Sequence, residues 1–149
     1  MKSKKIACLM TMGAVLLVTP LHADDRAATP VVPNPVVVRP ISSSSVTSGG
    51  QPIVMPRGHL QVVASIYEIA PGAVLPVHKH PFPRYAYVLA GTLDVTNDDI
   101  GKTATFRQGD VILEAVNQWH YGVNKGSEPV KLMVIDMLKK GKANVVLKK

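Results

Sequence analysis

From Leu60 onward, short apolar stretches alternate with turn residues. The stretch LQVVASIYEIA (60–70) is rich in β-branched and aromatic residues and ends at the turn pair Pro71-Gly72. Similar stretches follow, each bounded by Gly, Pro, Asn or Asp: VLPVHKH, RYAYVLA, TLDVT, TATFR, VILEA, QWHYGV and VKLMVIDML. No convincing helical pattern interrupts them. The pattern predicts roughly eight short strands and an all-β fold, as a sandwich or a barrel.

The first 57 residues have a different composition. MKSKK, the apolar run IACLMTMGAVLLV and TPLHA form the three parts of a secretory signal peptide. They predict a signal peptide over 1–23, cleaved after Ala23, and an exported protein, periplasmic or secreted. The run is shorter than the ~20 apolar residues of a spanning helix, so no membrane association is expected after cleavage. Residues 24–57 are rich in Pro and Ser and predict a linker to Pro35, then an edge strand or an arm on the domain.

Cleavage would also change the chemistry and charge of the chain. Cys8 is the single cysteine and leaves with the signal peptide, which excludes cysteine catalysis and cysteine-based zinc sites. Three lysines leave too, so the net charge falls from +7 to +4. Residues 141–149 are interpreted as a basic, solvated C-terminal tail. No basic patch interleaved with aromatic residues is visible, and no nucleic-acid partner is expected.

Three histidines stand where they can converge on one point. Alternate side chains of a strand share a face, so His78 and His80 point the same way. His120 lies in a later predicted strand. Three neutral imidazoles around an open site suit a divalent iron, manganese, zinc, nickel or copper ion. The histidines are therefore candidate metal ligands.

The segment around the first two histidines resembles the first motif of the cupin superfamily. Gly72, His78, His80 and Gly91 stand at the family's spacing. Arg84 occupies the position of the family's glutamate. The departure removes one expected metal ligand.

The segment around the third histidine resembles the second cupin motif. Gly109, His120 and Asn124 match it, whereas Ala115 replaces a proline and Asn117 replaces a glycine. Together the two motifs cover about residues 62–137. The resemblance implies a single cupin domain over 58–140, folded as a double-stranded β-helix of jelly-roll type. It also implies that His78, His80 and His120 bind the metal.

Arg84 leaves three arrangements open. A guanidinium has only donors and cannot coordinate a metal ion. Arg84 could pair with a carboxylate such as Glu114 or Asp110, leaving a three-histidine site. It could instead hold an anionic substrate beside the metal, because its fork matches a carboxylate. In the third arrangement no metal binds and the pocket takes a small anion.

Strand parity sorts the neighbouring residues. Continuing the face of Arg84 places Ala86 and Val88 inward, and the alternate residues Tyr85, Tyr87 and Leu89 outward.

By the same parity, Trp119 and Tyr121 face away from His120. Asp110 is expected to serve its turn, and Glu114 either to support a ligand or to be exposed. His59 is interpreted as a surface residue.

Two functions from different classes fit these observations. The first is a metal-dependent oxygenase or isomerase acting on a small, oxygen-bearing or anionic substrate, with Arg84 as a substrate-binding residue. The second is a non-catalytic binding protein whose arginine-lined pocket captures a small anion, with or without metal. The resemblance also allows a homodimer, in which residues 36–55 could exchange between subunits.

Overall fold

The structure, a computed structural model, describes residues 36–149, and this range contains strands and turns but no helix. The strands are β1 (Leu60–Ile69), β2 (His78–Lys79), β3 (Arg84–Ala90), β4 (Thr92–Asn97), β5 (Lys102–Arg107), β6 (Val111–Leu113), β7 (His120–Val123), β8 (Val130–Lys139) and β9 (Val146–Leu147). They confirm the all-β prediction. Within 36–149 there is also no helix that could cross a membrane. The predicted signal peptide, its cleavage site and the linker to Pro35 lie outside the described residues.

The strands form two antiparallel sheets. The four-stranded sheet has the order β1-β8-β3-β6, and the five-stranded sheet has the order β5-β4-β7-β2-β9. Strands that are distant in sequence are therefore neighbours in each sheet. This crossing connectivity brings the two predicted motifs to one place.

The apolar core consists of the inward residues of these strands. In β8, inward and outward residues alternate along the whole strand, and Val130, Leu132 and Val134 are buried. The next inward residue of β8 is Asp136, which is also buried. The row of side chains that forms the core thus continues into a polar region at one end of the domain.

The C-terminal residues 141–149 are mostly exposed, but two of them pair with the domain. β9 pairs antiparallel with β2, with His78 opposite Leu147. The amide of Lys148 donates to the carbonyl of Val77 over 2.9 Å. Val146 and Leu147 form this strand, and Asn144, two residues before it, is buried. This short strand was not predicted because the segment around it is rich in lysine.

Residues 45–53 form a small turn that lies on the domain without joining either sheet. Val46 and Pro52 form an isolated bridge. The amide of Ser48 donates to the carbonyl of Leu113 over 2.7 Å. The side-chain amide of Gln51 bonds both backbone groups of Val116, at 2.7 and 2.9 Å. The turn therefore supports the segment between β6 and β7.

Candidate metal centre

The three predicted histidines meet at one end of the five-stranded sheet. His78 in β2 and His120 in β7 are direct cross-strand partners. His80 follows two residues later and bridges to Val116. The three ring centroids lie 4.5–4.8 Å apart. One ring nitrogen of each histidine lies within 4.8 Å of those of the other two, which is close enough for a shared metal ion.

Each imidazole is held by a backbone carbonyl. Nδ1 of His78 lies 2.7 Å from the carbonyl of Pro76, Nδ1 of His80 lies 2.6 Å from that of Asn144, and Nδ1 of His120 lies 2.9 Å from that of Gln118. A carbonyl only accepts, so each Nδ1 carries the proton and each neutral ring has a bare Nε2. Metal-binding histidines are held in this way.

Two of these Nε2 atoms are buried and have no hydrogen-bond partner, namely those of His80 and His120. Leaving a buried polar atom unpaired costs about 1–3 kcal/mol, and such atoms are rare. A metal ion at the centre of the cluster would satisfy both. The residues present therefore fit a divalent cation.

Burial keeps two of the histidines neutral, as a metal ligand must be. It lowers the pKa of His80 to about 4, and the opposing effect of Glu114 is smaller. Burial also lowers the pKa of His78. Both rings therefore offer a free electron pair near neutral pH.

A carboxylate from the residue after β6 lies beside two of the three histidines. Oε2 of Glu114 lies 3.2 Å from Nε2 of His120 and 3.8 Å from Nε2 of His80, and the Glu114 side chain is 14% exposed. Burial alone would raise the pKa of Glu114 and lower that of His120. The attraction between the two side chains is stronger, so the pKa of Glu114 is lowered and that of His120 is raised. Glu114 is thus neither an exposed residue nor the partner of Arg84.

Arg84 pairs with a carboxylate that the sequence reading did not name. Its Nε donates to Oδ1 of Asp136 over 2.7 Å, and its Nη2 donates to Oδ2 over 2.9 Å. Nη2 also donates to the hydroxyl of Tyr67 over 3.3 Å. Burial alone would lower the pKa of Arg84, but the bonds to Asp136 raise it. Of the three arrangements, pairing with a carboxylate is the one seen, with Asp136 instead of Glu114 or Asp110.

Asn144 links the histidines to this ion pair. Its carbonyl faces Nδ1 of His80, and its Nδ2 donates to Oδ1 of Asp136 over 2.6 Å. Its Oδ1 accepts from the amide of Phe82 over 2.8 Å. Sequence reasoning missed Asn144 because it treated the tail as solvated. For Asp136 a signal was available, since it is an acidic residue on the inward face of an apolar strand.

One of the two departures from the second motif, Asn117, is explained by local geometry. Asn117 replaces glycine and has φ 57°, in the left-handed region. Asparagine is among the non-glycine residues that adopt this region most readily. Its amide donates to the carbonyl of His80 over 2.8 Å, a bond that connects the second motif to the first.

A small cavity of about 40 Å³ lies beside the histidines. His78, Arg84 and Tyr67 line it, and they also line an outer pocket of about 240 Å³. Val145 and Leu147 of the C-terminal segment form part of the outer wall. A ligand in the outer pocket would contact an apolar wall and face the centre.

The parity predictions near Arg84 are confirmed. Ala86 and Val88 are buried, whereas Leu89 is 37% exposed. Tyr85 lines a different, outer groove with β6.

The predictions around His120 also agree with the structure. Trp119 stacks with Lys79 outside the cluster, and His59 is exposed. Oδ2 of Asp110 accepts from the amide of Arg107 and so serves its turn.

The comparisons agree with this geometry. The family model for the cupin domain matches residues 65–136. The fold is similar to that of the polyketide cyclase RemF of Streptomyces resistomycificus, with a TM-score of 0.51 and 21% identity over 62% of this chain and 64% of the cyclase. It is also similar to the DMSP lyase DddQ of Ruegeria pomeroyi, with a TM-score of 0.52 and 20% identity over 58% of this chain and 43% of the lyase.

A variant of Bacillus subtilis oxalate decarboxylase gives a TM-score of 0.50 and 24% identity, over 58% of this chain and 23% of the decarboxylase. The chain thus spans less than two thirds of each of these proteins. No curated protein matches it in sequence. The two motifs, the two antiparallel sheets and the family match show that this chain belongs to the cupin superfamily and has its double-stranded β-helix fold.

Proposed function

We propose that this protein is an exported, metal-dependent cupin enzyme that acts on a small, oxygen-bearing molecule by oxygenase or isomerase chemistry. The observation that carries the proposal is the cluster of three imidazoles with Nδ1 held by carbonyls and Nε2 turned inward. His78, His80 and His120 would hold the ion. A divalent ion at such a site polarises a bound oxygen or activates dioxygen.

The charges around the centre favour an anionic substrate. Glu114 and Asp136 are acidic, Arg84 is basic and the histidines are neutral, so a divalent ion would leave the site with one positive charge. A monoanion would balance that charge. Tyr67 lines both cavities, where its hydroxyl could orient the oxygen atoms of the anion.

The size of the site limits the substrate. The inner cavity of about 40 Å³ has room for little more than the reacting oxygen atoms. The remainder of the molecule would lie in the outer pocket, against Leu75, Val145 and Leu147. This favours a compact molecule with one polar end and one apolar end.

The alternative of an anion-binding protein without catalysis has less support. It requires Arg84 to offer its fork to a free anion. Asp136 already occupies Nε and Nη2 in a bidentate pair.

The proposal is tested by metal analysis of mature protein purified without a histidine tag or chelator. We expect near-stoichiometric iron, manganese, nickel, copper or zinc, or uptake of one of these ions on titration. The loaded protein would then be screened with small hydroxy, oxo and enolic acids for oxygen consumption or isomerisation. If the protein bound none of the five ions, the proposal would be contradicted.

Export is part of the proposal, and the signal-like N-terminus supports it. We expect the protein outside the cytoplasm with its N-terminus at Asp24. Intact-mass measurement of secreted or periplasmic material checks both points. An uncleaved chain retained in the cytoplasm would contradict them.

We also propose a homodimer through the outward face of the four-stranded sheet. Val62 and Ile66 are 61% and 59% exposed, and Ile66 lies opposite Met133, which is 38% exposed. An apolar surface of this kind is typical of an interface, and a self-associating sheet face suits a twofold axis. Light scattering should give a dimer, and Ile66→Lys should give a monomer. A wild-type monomer at micromolar concentration would contradict this.

A further inference from the structure

Arg84 stands where the family has its carboxylate ligand, and Glu114 lies directly across from it on the neighbouring strand segment. β3 and β6 pair antiparallel with Tyr85 opposite Leu113, and the amide of Glu114 donates to the carbonyl of Arg84 over 3.0 Å. Continued by one residue, this register places Arg84 opposite Glu114. Directly opposed side chains lie on the same face, with Cβ atoms about 5 Å apart. A carboxylate at either position can therefore reach the same space.

Asp136 completes a row of three charged residues across the sheet. Arg84 lies opposite Asp136 in the pairing of β3 with β8. The guanidinium turns to Asp136, with Nε and Nη2 2.7 and 2.9 Å from its carboxylate. Since Asp136 balances Arg84, the carboxylate of Glu114 is left to face the histidines.

The shorter of the two distances also fits two ligands of one ion. Oε2 of Glu114 is 3.2 Å from Nε2 of His120, yet that nitrogen has no partner of hydrogen-bond geometry. Two ligands each about 2.1 Å from a metal ion are separated by roughly 3–3.4 Å. The 3.8 Å to Nε2 of His80 is slightly longer and would shorten with a small movement of the carboxylate.

We propose that Glu114 is the fourth protein ligand of the metal ion, and that this cupin has moved its carboxylate ligand from β3 to the facing position beside β6. The inference rests on the proposed metal function. The three histidines and Glu114 would restore a set of three imidazoles and one carboxylate. Arg84 and Asp136 would then be a buried structural pair beside the centre.

The test is a Co²⁺ titration of the full mature chain, measuring affinity by competition with a chelating dye and coordination by the visible spectrum. We expect Glu114→Gln to weaken Co²⁺ binding by at least ~100-fold, a larger loss than that of a partner outside the coordination sphere. It should also change the ligand-field bands, because an amide replaces an anionic oxygen at the ion. Glu128→Gln, the same change at an exposed residue, should leave both readouts unchanged.

A second variant moves the carboxylate back to the family position. This triple variant adds Arg84→Glu and Asp136→Asn to Glu114→Gln. It should recover the affinity for Co²⁺ and a visible spectrum like that of the wild type. Circular dichroism of each variant controls for folding. This rescue would not follow if Glu114 only oriented His120 from outside the coordination sphere.

The outcomes separate the two proposals. If the wild type binds no Co²⁺ or other ion, the metal function itself fails and this inference with it. If the wild type binds Co²⁺ and Glu114→Gln retains the affinity or the spectrum, Glu114 is not a ligand and the three-histidine function stands.

Discussion

The two sheets contribute to the candidate centre in different ways. The five-stranded sheet supplies His78 and His120, and His80 directly follows its strand β2. The four-stranded sheet supplies a row of three charged residues, Glu114 after β6, Arg84 in β3 and Asp136 in β8. The histidines keep the positions of the family motifs, whereas in the charged row Arg84 replaces the glutamate of the first motif.

Under the proposed coordination, the ligand set is kept while its carboxylate changes strands. Each imidazole is oriented by a backbone carbonyl close to its own ring, so a histidine cannot move without losing that support. Carboxylates on facing strands are more interchangeable, because cross-strand neighbours point to the same side. The charged row must remain balanced, and Arg84 requires Asp136 as its partner.

The largest effect is expected from breaking the ion pair of the four-stranded sheet. Asp136→Asn leaves Arg84, which is 5% exposed, with no full negative charge against its fork. Loss of one partner of a buried pair should lower the free energy of unfolding by about 3–5 kcal/mol. Urea denaturation of both proteins measures this.

Glu68→Gln is the matched control, since it breaks the exposed pair with Lys131 in the same sheet. Surface pairs contribute roughly 0–1 kcal/mol. Equal small losses in the two variants would show that the buried pair has no special role.

The next effect is on the five-stranded sheet. His120→Ala removes an inward Nε2 and should weaken binding of divalent ions by at least ~100-fold. His59→Ala changes an exposed histidine outside the cluster and should have no effect. Isothermal titration with one ion compares the variants. Unchanged affinity in His120→Ala would remove this sheet from the metal site.

The metal-free protein should be most stable near pH 6.5. The pKa of His80 is about 4 when folded and 6.5 when unfolded, so its contribution to stability is complete above pH 6.5 and is lost as the pH falls to 4. This loss is at most about 3 kcal/mol. The pKa of His120 is raised, so its contribution is complete below pH 6.5 and is lost as the pH rises through the raised value.

Thermal denaturation between pH 4 and 8, with chelator present, checks this profile. The acid side should flatten in His80→Gln, which cannot be protonated. A melting temperature that keeps falling from pH 4 to 6.5 would contradict the sign of the effect.

The smallest effect is expected at the junction of the two sheets. Asn144→Ala removes the bonds to Phe82 and Asp136 but keeps the carbonyl that faces His80. We expect a loss of about 1–2 kcal/mol in unfolding free energy and a modest fall in metal affinity. Lys142→Ala, at an exposed residue of the same segment, is the control. Equal stability of the two variants would mean that the side-chain bonds of Asn144 do not stabilise the domain.

Much of the fold followed from local patterns. Alternation and turn residues predicted the strands from β1 to β8, and parity predicted that Ala86 and Val88 are buried. Strand β9 was missed because it has two residues and lies in a lysine-rich segment. So short a strand has almost no period of its own and is stabilised by pairing with β2.

The sequence by itself determined which residues of β3 turn inward and that His78 and His80 share a face, because both depend on a period of two along one strand. The place of His120 beside them was implied only by the resemblance to the second motif. The sequence did not determine which carboxylate faces which cation. Glu114, Arg84 and Asp136 are far apart in sequence and become neighbours only through the pairing of β6, β3 and β8. Since that register is a property of the assembled sheet, only the tertiary structure decided that Asp136 balances Arg84 and that Glu114 faces the histidines.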